Sequence, residues 1–176
     1  MRALIVLLIG VVALGAGVLL GFKLDSDDDG PTTATSASGL PAAVEQTRVQ
    51  LLAAAEAGDY EAVAELIPTT GFEYTFGDPV DGGPAAYWQE LEATTDQRPL
   101  ETLAAILRMP YVLSRGYYVW PWAYTVESSD DLSPHERELL EPLGVPSQFF
   151  PEGIGYLGWR AGIAPDGTWS FYVAGD

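Results

Sequence analysis

The stretch YYVWPWAYTV, residues 117–126, is the densest aromatic run in the chain, and its periodicity decides the fold class. Read with period two, it sets Tyr118, Trp120, Trp122, Tyr124 and Val126 on one face and Tyr117, Val119, Pro121, Ala123 and Thr125 on the other. That alternation is a strand pattern, with one aromatic face suited to a core or to the floor of a pocket.

Working outward, the run has strand partners on both sides. Tyr111 to Leu113 reads as a short strand turning through Ser114-Arg115-Gly116 into it. Downstream, 156–163 and 168–173 read as two strands joined by the turn sequence Pro165-Asp166-Gly167. In the first, Leu157, Trp159, Ala161 and Ile163 alternate with Tyr156, Gly158, Arg160 and Gly162; in the second, Trp169, Phe171 and Val173 alternate with Ser170 and Tyr172.

The segments before the run are helical. Val44, Arg48, Leu51, Leu52 and Ala55 share one helix face, Gly58 stops that helix, and Asp59 caps a second one carrying Tyr60, Val63, Ala64 and Ile67. Phe72, Tyr74 and Phe76 alternate with Glu73 and Thr75 as a short half-buried strand. Pro84 opens a third helix burying Trp88 and Leu91, and a fourth runs through Leu100, Leu103 and Leu107 to Pro110. Ser133-Pro134-His135-Glu136 is a capping box that starts a surface helix.

The N-terminus is of another kind. Residues 3–22 are uncharged and apolar, about 30 Å long as a helix, which matches a bilayer core. They read as a signal-anchor within a membrane segment spanning residues 1–24, with Arg2 before it and Lys23 after it, the N-terminus cytoplasmic and the rest extracytoplasmic. A cleaved secretory signal is the competing reading, and a mature start near Thr32 or Gly39 would identify it. Ala13, Gly17 and Gly21 form a small-residue stripe on which a homodimer could pack.

Residues 25–39 are rich in Asp, Ser, Thr, Gly and Pro and read as a flexible linker. Its opening, DSDDDG, has the first half of a calcium-loop pattern, but the twelfth position is Ser36 rather than glutamate, so no metal is expected. Residues 40–176 then form one α+β domain.

Charge and composition narrow the function. The chain carries 25 acidic against 8 basic side chains, a net −17, which repels nucleic acid phosphate. The absence of cysteine excludes disulfides and thiolate chemistry. The single histidine, His135, belongs to an exposed helix start, and no nucleophile elbow, zinc motif or phosphate loop occurs. No cofactor is expected. Arg160, between Gly158 and Gly162, stands on an uncrowded strand face where it pairs with an acid such as Glu127 or meets an anionic ligand; Trp120, Trp122 and Tyr124 share the aromatic face. These four are the candidate ligand-binding residues.

The order of elements, a helical pair around AAAEAGDYEAVAEL, a strand, further helices and a closing run GWRAGIAPDGTWSFYVAGD, resembles the NTF2-like superfamily over residues 41–176. It resembles more closely uncharacterised bacterial members with a YVWP segment and a GTW-F-VAGD ending. It implies a curved antiparallel sheet wrapping a helical layer into a cone, although the two helical stretches at 84–93 and 100–109 are additions to the compact plan. The superfamily includes isomerases, dehydratases and non-catalytic binding domains, so the fold licenses no activity. The leading expectation is a membrane-anchored module binding a small apolar ligand, a peptide or a partner protein; a small cofactor-free isomerase-like enzyme and an accessory subunit of an envelope assembly are the alternatives.

Overall fold

The computed structural model describes residues 39–77 and 79–175. The apolar segment at 3–22, its small-residue stripe, the half calcium loop at 25–30 and the linker as far as residue 38 lie outside the described residues. Among the described residues no helix is long and apolar enough to cross a membrane.

The domain is α+β: helices pack on one face of a four-stranded antiparallel sheet. α1 (Ala42–Glu56) and α2 (Tyr60–Glu65) form the expected helical pair, with the Asp59 side chain accepting from the backbone N–H of Glu61 and Ala62. α3 (Gly83–Thr94) and α4 (Pro99–Leu107) follow, each with proline in its first turn, where a missing N–H costs nothing. α5 (Pro134–Leu140) carries the capping box, with Ser133 and Glu136 each bonding the other's backbone. His135 on it is 78% exposed in its side chain.

The strands β1 (Val112–Ser114), β2 (Tyr117–Trp120), β3 (Arg160–Ile163) and β4 (Trp169–Val173) run in spatial order β1-β2-β3-β4, every pairing antiparallel. β1 and β2 turn through Arg115 and Gly116, both at positive φ (52° and 87°), as a two-residue hairpin loop requires. Val119 lies opposite Gly162 and Trp120 opposite Ala161.

The expected strand over 117–126 ends early. Pro121 has no N–H to give the ladder, so after Trp120 the chain leaves the sheet into a 3-10 turn, Trp122–Thr125, whose first N–H donates to Pro110 O at 2.9 Å. The strand expected over 156–163 forms only from Arg160. The strand expected at 72–76 reduces to a single parallel bridge, in which Glu73 N–H donates to Ser170 O and Glu73 O accepts from Tyr172 N–H.

β4 also breaks its expected alternation. A bulge sets Ile163 opposite Trp169 instead of Ser170, so Trp169 and Tyr172 both enter the helix-facing core while Phe171 and Val173 face the other way. The core between helices and sheet holds Trp88, Trp120, Trp169 and Tyr172, all within 1% of full burial. The Trp88 ring centre lies 5.9 Å from that of Trp169 and 5.3 Å from that of Tyr172. The Tyr172 hydroxyl donates to Pro99 O at 2.6 Å, tying β4 to the start of α4.

A second, smaller cluster lies beyond the end of β2. It contains Met109, Ala123, Leu132, Leu140, Phe150 and Tyr156, with Trp122 partly buried against it.

Candidate functional site: a groove on the open face of the sheet

Because one face of the sheet is filled by helices, the side chains of opposite parity decide what the other face can do. Tyr117 and Val119 of β2, Arg160 of β3 and Phe171 and Val173 of β4 line a groove of about 760 Å³ there. Tyr124 to Glu127 and Ile154 to Leu157 form its walls at one end, and Glu73 and Phe76 close its side. Val119 and Val173 are 1% and 4% exposed, so the floor is deep, whereas Phe76, Ile154 and Tyr117 stand well out at the rim.

Arg160 sits in the floor at 9% exposure. Its Nη1 donates to Gly175 O at 2.8 Å and to Gly158 O at 3.5 Å, and its Cζ lies 5.3 Å from the ring centre of Phe76 and 5.6 Å from that of Tyr124. A guanidinium between two ring faces gains about 0.5–2 kcal/mol per ring, depending on how dry the site is. Arg160 therefore clamps the segment after β4 to β3 and joins two groove walls, with backbone carbonyls among its acceptors.

The glycines that flank it do not leave its face empty. A Cβ on Gly162 would meet Phe171 Cε1 at 2.1 Å, and one on Gly158 would meet the Tyr156 hydroxyl at 2.3 Å. Both glycines are required because an aromatic side chain lies across them. Phe171 thereby covers β3 and meets Tyr117 edge-on, with ring centres 5.8 Å apart. Behind the wall, burial raises the Tyr156 hydroxyl pKa, partly opposed by the charge of Arg160, and that hydroxyl donates to Trp159 O at 3.0 Å.

The four sequence-predicted residues are therefore divided. Tyr124 and Arg160 meet in the groove. Trp120 is in the helix-facing core at 1% exposure, and Trp122 packs on the second cluster, its Nε1 donating to Glu136 Oε1 at 3.3 Å. The departure of the chain at Pro121 separates them: an uninterrupted strand would have kept Trp120, Trp122 and Tyr124 on one face.

No protein-family model, curated protein or solved structure matches the chain.

The groove residues Phe76, Tyr117, Phe171 and Ile154 were not among the four candidate ligand-binding residues. Of these only Phe171 carries a usable signal, since an aromatic side chain on one strand can lie across a glycine on its neighbour. Among the described residues no group of three or more His, Cys, Asp or Glu side chains could hold a metal ion. A smaller cavity of about 250 Å³ lies among α1, α2, α3 and the start of α4, lined by Glu56, Tyr60, Glu92, Arg98 and Glu101. Burial, then the hydrogen bond to Glu92, raises the Tyr60 hydroxyl pKa.

Proposed function

We propose that the chain is a membrane-anchored, extracytoplasmic binding module whose binding surface is the groove on the open face of the sheet. The observation that carries the binding half is the groove itself: a deep floor of Val119, Arg160 and Val173 under a rim of outstanding aromatic and aliphatic side chains. Ligand sites are commonly concave surfaces in which apolar side chains meet placed polar groups, and this groove combines both, with Glu73, Arg115, Glu127 and Arg160 beside its aromatic and aliphatic side chains. The anchoring half rests on the apolar run at 3–22, which fits a bilayer in length.

We read the domain as NTF2-like, a reading supported by helices laid on an antiparallel sheet. In that plan the ligand space lies between helices and sheet; in this chain Trp88, Trp120, Trp169 and Tyr172 fill that space. The binding surface is transferred to the opposite face.

The chain has no cysteine, so a single engineered one reports location cleanly. In whole cells a membrane-impermeant maleimide labels the exposed position His135→Cys, which lies outside the groove, and deletion of residues 3–22 releases the protein from carbonate-washed membranes. Labelling only after cell rupture, or retention of the deletion in membranes, would overturn the location.

A further inference from the structure

The chemistry of the groove selects among possible occupants. Four charged side chains line it, Glu73 and Glu127 against Arg115 and Arg160. The patch is balanced on a chain with 25 acidic and 8 basic residues. An anionic ligand approaches against the net −17 of the chain, and a cationic one meets two guanidinium groups. A wholly apolar ligand would strip water from the exposed charges of Glu73, Arg115 and Glu127 and return no hydrogen bonds. What fits is a neutral ligand that brings its own hydroxyls and also has an apolar face.

We propose that the groove binds a neutral oligosaccharide, an inference that rests on the groove being the binding surface. A pyranose ring presents a C–H face to an aromatic side chain, and its hydroxyls both donate and accept. The Phe171 ring, held across Gly162, and Tyr117, 37% exposed at the rim beside it, supply two apolar platforms. Glu73 and Glu127 accept from hydroxyls along the edges, and Arg115 donates from the hairpin end. The face from β1 to β4 is about 14 Å across at three interstrand spacings, the length of a few linked sugar rings.

The test is an NMR titration of the full chain in a sugar-free zwitterionic detergent with cellohexaose, chitohexaose and maltohexaose. At least one is expected to saturate shifts at Tyr117, Phe171 and Glu127 with a Kd below about 1 mM. Tyr117→Ala, at a half-exposed site, weakens that binding about fivefold to tenfold, as expected for loss of one ring contact. Glu127→Gln, an isosteric change on an exposed wall, weakens it by a smaller factor and keeps the shift map. Saturation of the groove by a neutral Ser/Phe hexapeptide without response to any sugar would overturn the saccharide assignment and leave the groove a binding surface. No response to sugars while Glu127→Cys is shielded in native membranes would do the same. No response and no shielding would remove both readings.

Discussion

Replacing Gly162 by alanine tests how the open face is built. The new Cβ would stand 2.1 Å, 2.2 Å and 2.8 Å from Cε1, Cζ and Cδ1 of Phe171, where ordinary contact is about 3.4 Å. The ring must move by more than 1 Å (about 3.4 minus 2.1), giving up its edge contact with Tyr117 at 5.8 Å. An overpacked site costs about 1–3 kcal/mol, and the lost ring pair contributes about 0.5–1.5 of a similar scale. Lower entropy of the unfolded alanine chain offsets about 0.4–1 kcal/mol. The net expectation is a loss of about 0.5–4 kcal/mol in chemical denaturation followed by tryptophan fluorescence. The clash needs both partners, so Gly162→Ala combined with Phe171→Ala is expected to cost less than the sum of the single changes by about 1 kcal/mol or more. A neutral Gly162→Ala, or strict additivity in the cycle, would refute the packing of Phe171 on Gly162.

Further predictions separate the two faces and the two ends of the pH scale. Trp120→Ala, at 1% exposure in the core, is expected to cost about 3–5 kcal/mol. Trp122→Ala, partly buried with a 3.3 Å bond to Glu136, costs less, and equal losses by denaturation would contradict the division between the two clusters. Tyr172→Phe removes the bond to Pro99 O and costs about 0.5–1.5 kcal/mol. Burial raises the Tyr172 pKa above its ordinary value of 10.0, so above that pH the unfolded chain releases a proton that the folded chain retains. Stability is therefore full below pH 10.0 and falls as pH rises, and Tyr172→Phe reduces that fall in alkaline melting curves. On the acid side, hydrogen bonds from Ser133 lower the Glu136 pKa below its ordinary 4.5. Its contribution is present above that value and is lost as pH falls through the folded pKa, a dependence that Glu136→Gln removes.

The helices were legible because their signals are local. Asp59 caps α2, Ser133 and Glu136 close the box on α5, and the apolar positions of α1 and α4 sit where the 3.6-residue period places them. The hairpin turns at Arg115-Gly116 and Pro165-Asp166-Gly167 were legible for the same reason. Strand ends and side-chain faces were less so. Alternation alone carried the reading through Pro121, where the ladder loses its donor, and through Ser170, where a bulge shifts the register by one. Each slip moves aromatic residues to another face, which is why Trp122 left the candidate site and Phe171 entered it. Arg160 was found because a charge between glycines on a strand is unusual. That those glycines admit Tyr156 and Phe171, rather than a ligand, depends on how the chain folds back before β3 and on Phe171 across the sheet, neither of which local alternation reports.

The central claim, that the open face of the sheet is the one occupied in the cell, is tested most directly by the maleimide labelling rate of Glu127→Cys in native membranes against the same protein purified. His135→Cys on the exposed start of α5 is the reference. The account predicts that labelling at 127 is several-fold slower in native membranes while labelling at 135 is unchanged; equal rates at 127 in the two preparations would contradict it.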